Sequence, residues 1–217
     1  MKLLILGISG RTGKLVAVEA LKRGYKVTGI ARKPESVGID GAEIVKGTPS
    51  DYYTVRKAIE GCDAVISVLN TFNQSDGLFR KINTPLNVMT ESIRNTVMAM
   101  KELNIKRIVV MTALGVGDSA KEVSPFFRFF IRISNIRYAY MDHYTQEKVL
   151  EESNLDWTVI RPVMLNDKSA NLSVLHNLNG IGKLKPAISR NAVANFLLDC
   201  LEKDLFLKQK PGISNAW

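Results

Sequence analysis

The stretch KLLILGISGRTG, residues 2–13, decides the fold. Lys2 to Leu6 is a short apolar run that Gly7 ends at once, and glycines recur at positions 10 and 13. Beyond them Val16, Ala17, Ala20 and Leu21 fall on one face at helical spacing, and Gly24 suits that helix's end. The stretch therefore reads as a strand, a tight turn and a helix. Glycine adopts φ values closed to other residues and lets a ligand approach the backbone with no Cβ in the way. The helix that follows offers unpaired N–H groups and a partial positive charge, which is a seat for an anion. Ser9, Arg11 and Thr12 add hydroxyl and guanidinium groups to the same seat.

The pattern repeats outward. Lys26 to Ala31 and Ala42 to Lys46 read as strands, and Tyr53 to Glu60 as a helix closed by Gly61. Asp63 to Leu69 is nearly all apolar after its acid, as in a strand covered on both faces. A helix from about Pro85 to Leu103 carries Leu86, Met89, Ile93, Val97 and Met100 on one side. A strand at Arg107 to Thr112, a helix at Tyr138 to Ser153, a strand at Trp157 to Arg161 stopped by Pro162 and a helix at Asn191 to Glu202 complete the series. Strands alternating with long helices predict an α/β fold with a doubly wound parallel sheet, a Rossmann fold. With no repeat and no linker, residues 1–217 read as a single domain.

Composition bounds the function. Hydrophobic residues at 46% and charged residues at 24% match an ordinary soluble globular chain. No apolar run approaches the roughly 18 residues of a spanning helix, and the opening run is too short for a secretory signal, so a cytoplasmic protein without a membrane partner is expected. Cys62 and Cys200 form no CxxC pair, which predicts reduced packing residues and no metal site. The net charge is +9, spread over pairs such as Lys22/Arg23, Arg32/Lys33, Arg80/Lys81 and Lys106/Arg107. Without a dense basic tract or an aromatic-interleaved motif, this reads as a surface biased toward anionic ligands, with no nucleic-acid partner expected.

A glycine turn joining the first strand and helix of a βαβ unit is where the pyrophosphate of a dinucleotide sits. In the NAD version an acid about twenty residues on takes the ribose hydroxyl. Here the second strand ends in Gly29-Ile30-Ala31-Arg32-Lys33-Pro34. Arg32 and Lys33 would pair with a 2′-phosphate that a carboxylate would repel, so the cofactor expected is NADP(H).

The spacing Gly-x-x-Gly-x-x-Gly at 7–13 is joined by DAVISVL at 63–69, RIVVMT at 107–112, DHYTQEKVL at 142–150, SNLDW at 153–157, Arg161-Pro162 and ISR at 188–190. In this order the blocks resemble the atypical short-chain dehydrogenase/reductases with one NAD(P)-binding domain, in particular the biliverdin reductase B and flavin reductase group with its NmrA-like relatives. The resemblance implies that Ser67, Val68 and Leu69 lie along the cofactor, that Lys148 reaches the nicotinamide ribose, and that Pro162 and Val163 face the nicotinamide amide. Two positions at the rim of the cofactor site depart from the family: Thr48, expected beside the adenine, follows Gly47 where an acid is frequent, and Asn70 follows Leu69 where a glycine is usual.

Tyr144 and Lys148, four apart, share one helix face. In the wider family such a pair lets the lysine depress the tyrosine pKa for proton exchange with substrate, and Thr112 is the candidate hydroxyl that orients a carbonyl. The pair also occurs by chance, and hydride can pass to an electron-poor ring with a solvent proton. His143 and His176 have no partner in the sequence. The aromatic-basic segment PFFRFFIR at 125–132 is either a lid over a flat acceptor or a helix whose phenylalanines fill the core. Together with 163–188, the region 115–140 is expected to build the substrate side. The reading is an NADPH-dependent oxidoreductase passing hydride to a planar acceptor such as a flavin, quinone or related carbonyl compound. The alternative is a non-catalytic NADP(H)-binding redox sensor with a protein partner. An epimerase or dehydratase is disfavoured because little chain follows Pro162.

Overall fold

The computed structural model describes residues 1–70, 77–79, 85–168 and 173–216. Arg80, Lys81 and residues 169–172 of the expected substrate side lie outside them. The chain runs β1 (Lys2–Leu6), α1 (Arg11–Lys22), β2 (Lys26–Ala31), β3 (Ala42–Lys46), α2 (Tyr52–Ala58), β4 (Ala64–Ser67), α3 (Val88–Glu102), β5 (Arg107–Met111), α4 (Pro125–Ile133), α5 (Ile136–Glu151), β6 (Asp156–Pro162), β7 (Met164–Asn166), β8 (Val174–Asn177), β9 (Ala187–Ser189), α6 (Arg190–Glu202) and β10 (Gly212–Asn215).

Eight strands form one sheet in the order β3-β2-β1-β4-β5-β6-β10-β8, and β7 pairs with β9 in a separate two-stranded sheet. All neighbours in the large sheet are parallel except β10 and β8. Alternation along each strand divides the core. Leu3 and Ile5 face Val16, Ala20, Val193 and Leu197 of α1 and α6. Leu4 and Leu6 face Val55, Ile93, Val97 and Leu150 of α2, α3 and α5. This is the doubly wound arrangement that the alternating elements predict.

Several bounds move for local reasons. The helix expected at Tyr53 starts at Tyr52, because the Asp51 carboxylate accepts from the Thr54 N–H at 2.8 Å and caps it. The helix expected from Pro85 begins at Val88, where Asn87 supplies no side-chain cap. Its free N–H groups are met from another helix: Met89 and Thr90 both donate to the Asp142 carboxylate of α5 at 2.9 Å. Four short strands, β7 to β10, have no counterpart in the sequence reading. Three or four residues carry too little alternation to be seen.

The phenylalanines of α4 do not fill the core. No residue of this helix is buried, which overturns that half of the expectation for 125–132. Ser124 and Pro125 define it instead, with the Ser124 hydroxyl accepting from the Phe127 N–H. No helix among the described residues is long and apolar enough to cross a membrane.

Candidate active site

The carboxyl ends of the parallel strands open into a cleft of about 710 Å³. Gly7 follows β1, Ala31 ends β2 and Arg32 follows it, Gly47 and Thr48 follow β3, Val68 and Leu69 follow β4, and Met111 ends β5; all line it. It lies where the strand order reverses, between β1 and β4, which is where open α/β sheets take ligands.

Its floor is the glycine turn. Gly7 has φ +84° and its carbonyl accepts from the Gly10 N–H at 2.9 Å, which folds the chain back into α1. Gly10 caps that helix without any side-chain hydrogen bond. The first-turn N–H groups therefore face the cleft without an internal acceptor, and Ser9, Arg11, Thr12 and Gly13 line it there. These groups fit a pyrophosphate.

Arg11, Arg32 and Arg190 are the charged residues among the described lining, and no carboxylate is among them. Arg190 opens α6 and is nearly buried. Asp167, just past β7, takes Arg11 at 3.1 Å through one oxygen and Arg190 at 2.6 Å through the other. The sequence reading named neither Arg190 as a lining residue nor Asp167. Ile30, Pro49, Ser50, Asn70, Pro85, Val88 and Leu165 complete the wall.

A family model described as NAD(P)H-binding matches residues 7–204. The chain belongs to this NAD(P)H-binding family. The UPF0659 protein YMR090W of Saccharomyces cerevisiae is 26% identical over 215 residues, covering 93% of this chain and 87% of that one. Among solved structures, ChuY of Escherichia coli O157:H7, described as an anaerobillin reductase, superposes with a TM-score of 0.81 at 18% identity, covering 100% of this chain and 98% of ChuY. A short-chain dehydrogenase/reductase of Veillonella parvula in complex with NADP gives 0.79 at 16% identity, covering 99% and 94%. At such identities the two structures show the fold, and the likeness to atypical short-chain reductases drawn from the sequence blocks stands.

In this NAD(P)H-binding protein, ten of the expected cofactor residues line the cleft: Gly7, Ser9, Gly10, Arg11, Thr12, Gly13, Arg32, Thr48, Val68 and Leu69. The others lie elsewhere. Lys33 is exposed, and its carbonyl accepts from the Ser36 hydroxyl at 2.8 Å. Ser67 is buried in β4, and its hydroxyl has no partner among the described residues. The Pro162 carbonyl accepts from the Leu114 N–H, and the Val163 N–H donates to Ile213. Lys148 is half-exposed and bonded to Glu151 at 2.6 Å, which raises its pKa, with its ammonium 5.6 Å from the Tyr144 ring. Neither Tyr144 nor Lys148 lines the cleft.

Thr112 is buried, and its hydroxyl donates to Glu147 at 2.8 Å. Glu147 also takes Arg161 through both oxygens, at 3.1 Å and 2.5 Å. Arg161 reaches on to Asp118 at 2.6 Å. Burial works against the charge of Asp118, but Arg161, aided by Lys210, outweighs it and holds the carboxyl down at about 2. The structure thus joins Thr112 to an ion-pair network that the sequence reading missed. Tyr140 lies alongside, its phenol donating to the Leu114 carbonyl at 3.2 Å and pushed by burial up to about 12.

His143 is buried on α5 with its Nδ1 2.6 Å from the Gln146 amide, and burial lowers its pKa to about 4. A neutral histidine in the fold and a protonated one in the unfolded chain mean that stability falls as pH drops from about 6.5 to about 4, then levels off for this group. The loss amounts to roughly 3 kcal/mol over that window. Urea unfolding at pH 7 and pH 5 is expected to show about 2 kcal/mol of it, and His143→Gln is expected to flatten it. An unchanged slope in the variant would assign the acid sensitivity elsewhere.

Proposed function

We propose that this protein is an NADPH-dependent reductase that passes hydride to a planar acceptor such as a flavin, a quinone or a related carbonyl compound. The observation that carries the reading is the second-strand end of the cleft, where Arg32 lines the wall and no carboxylate does. Such a lining suits a ligand with several phosphates and disfavours a free ribose diol that needs an acid. When bound, the nicotinamide supplies the hydride chemistry. The chain's residues hold and orient it: the α1 N-terminus takes the pyrophosphate, Arg32 takes the 2′-phosphate, and Val68, Leu69 and Met111 exclude water from the inner wall. The reductase relative ChuY, named for its own substrate, supports the reaction class.

Arg32→Ala is expected to weaken NADPH binding about 10- to 100-fold, the value of one charge-assisted contact, while leaving NADH unchanged. Lys33→Ala, outside the cleft, is expected to have little effect. Equal losses for both cofactors would refute the phosphate assignment. The reaction itself is tested by following NADPH oxidation with FMN and then quinones as acceptors, with NADH in parallel.

One observation favours the sensor reading. The Thr112 hydroxyl is committed to Glu147, and neither Tyr144 nor Lys148 lines the cleft. Tight NADPH binding without turnover on any acceptor would establish the sensor. Turnover that survives Tyr144→Phe and Thr112→Ala would establish direct hydride transfer with a solvent proton.

A further inference from the structure

The helix α4 turns large apolar side chains outward. Phe126 is 80% exposed, Phe129 60% and Ile133 47%. Spaced three and four apart, they form one ridge along the helix. Phe127 and Phe130 are half-buried, the first against Tyr140 and the second against Phe79, each pair edge-on at 6.5 Å. Phe79 is itself 66% exposed and adds apolar surface beside α4. No residue of α4 lines the cofactor cleft.

Charge accompanies the ridge. Between Glu122 and Asp142 the sequence holds Arg128, Arg132 and Arg137 and no acid. Arg128 and Arg132, four apart and both exposed, lie along the flank of the ridge, and neither side chain makes an ion pair among the described residues. An apolar patch of this kind on a folded surface marks a place of contact. Its side chains protrude rather than line a groove, which suits a deformable partner better than a shaped protein pocket. A second copy placed face to face would set four arginines together, none ion-paired among the described residues, a repulsive arrangement.

We propose that α4 is an interfacial helix that docks this protein on an anionic lipid surface. Phe126, Phe129 and Ile133 enter the headgroup–acyl boundary, and Arg128 and Arg132 lie among the lipid phosphates. Short helices with aromatic residues on one side and arginines beside them bind membranes in this way, by buried apolar area plus attraction to anionic lipid. The sequence alone points the other way, because the polar side of 125–132 becomes visible only once the inward and outward phenylalanines are told apart.

The test is co-sedimentation of the full chain with vesicles of phosphatidylcholine and of phosphatidylcholine mixed with phosphatidylglycerol. Binding is expected to the mixed vesicles and not to pure phosphatidylcholine, and to weaken as salt is raised. Arg128→Glu with Arg132→Glu is expected to reduce it by about tenfold or more, from the value of two cations near an anionic surface. Phe126→Ser with Phe129→Ser is expected to reduce it comparably, with thermal unfolding and NADPH binding unchanged in both variants. Absence of binding to anionic vesicles would overturn the proposal. So would a concentration-dependent dimer that the phenylalanine variant abolishes, which would make the ridge a contact between copies. A phenylalanine variant that changes acceptor turnover in the absence of vesicles while vesicle binding persists would make α4 a lid and overturn it as well.

Discussion

Gly13→Ala is expected to abolish NADPH binding, although alanine is the better helix former. Gly13 stands in the first turn of α1, where the exchange would gain about 1 kcal/mol from propensity alone. Sterics decide the sign. A Cβ there would overlap the Gly7 carbonyl oxygen and stand 2.7 Å from the Gly7 carbon and 2.8 Å from the Ile8 Cα. All three are backbone atoms of the turn, so no side chain can swing aside. The turn must open, and the N–H groups of α1 leave the positions that suit a pyrophosphate. Loss of two such contacts to a charged group corresponds to about a hundredfold or more in affinity. Overpacking is expected to cost a further 1–3 kcal/mol or so in stability. Gly24→Ala is the control: φ there is +80° but nothing stands within 4 Å, so a small stability loss with intact binding is expected. Fluorescence titration with NADPH reads both variants. Wild-type affinity in Gly13→Ala would remove the turn from the binding site.

Glu147→Ala is expected to destabilise the fold by about 3–5 kcal/mol, a large part of the roughly 5–15 kcal/mol that a domain has. The side chains of Glu147 and Arg161 are 2% and 3% exposed. Removing the carboxylate leaves the guanidinium with Asp118 at the rim and deprives the Thr112 hydroxyl of its acceptor. The melting temperature is expected to fall by about 6–20 °C. Glu147→Leu with Arg161→Met is expected to be milder than Glu147→Ala alone, because the double change leaves no buried charge behind. A single variant within about 1 kcal/mol of wild type would show the network to be dispensable.

The sheet and the floor of the cleft were legible in the sequence because apolar runs and glycine spacing are local signals. The α5 helix was legible too, within two residues at each end, but its buried face was not. Its buried residues are Ala139, Asp142, His143, Gln146, Glu147 and Leu150, at spacings of three and four. That is the helical period, but four of the six are polar, so a search for an apolar stripe passes over them. Tyr144 and Lys148 share a period too, on the exposed side. The signal that would have found Glu147 is a buried partner for Arg161, a charged residue inside the apolar strand WTVIR, since a buried guanidinium demands a carboxylate. Arg190 escaped for another reason: its place in the cleft depends on β7 and β9, strands of three residues each.

The bridge from Arg11 through Asp167 to Arg190 makes the protein its own first ligand. A carboxylate carried by the chain already occupies two cationic groups at the mouth of the cleft, at a local concentration that dilution does not change. An incoming anion therefore competes with an internal rival, and its apparent affinity is reduced by the fraction of time that rival is bound. Singly charged ions from the medium offer the arginines nothing that Asp167 does not, whereas a pyrophosphate brings more charge and more acceptor oxygens than one carboxylate. The same rivalry would act on departure, with Asp167 placed to reclaim each arginine from a bound phosphate.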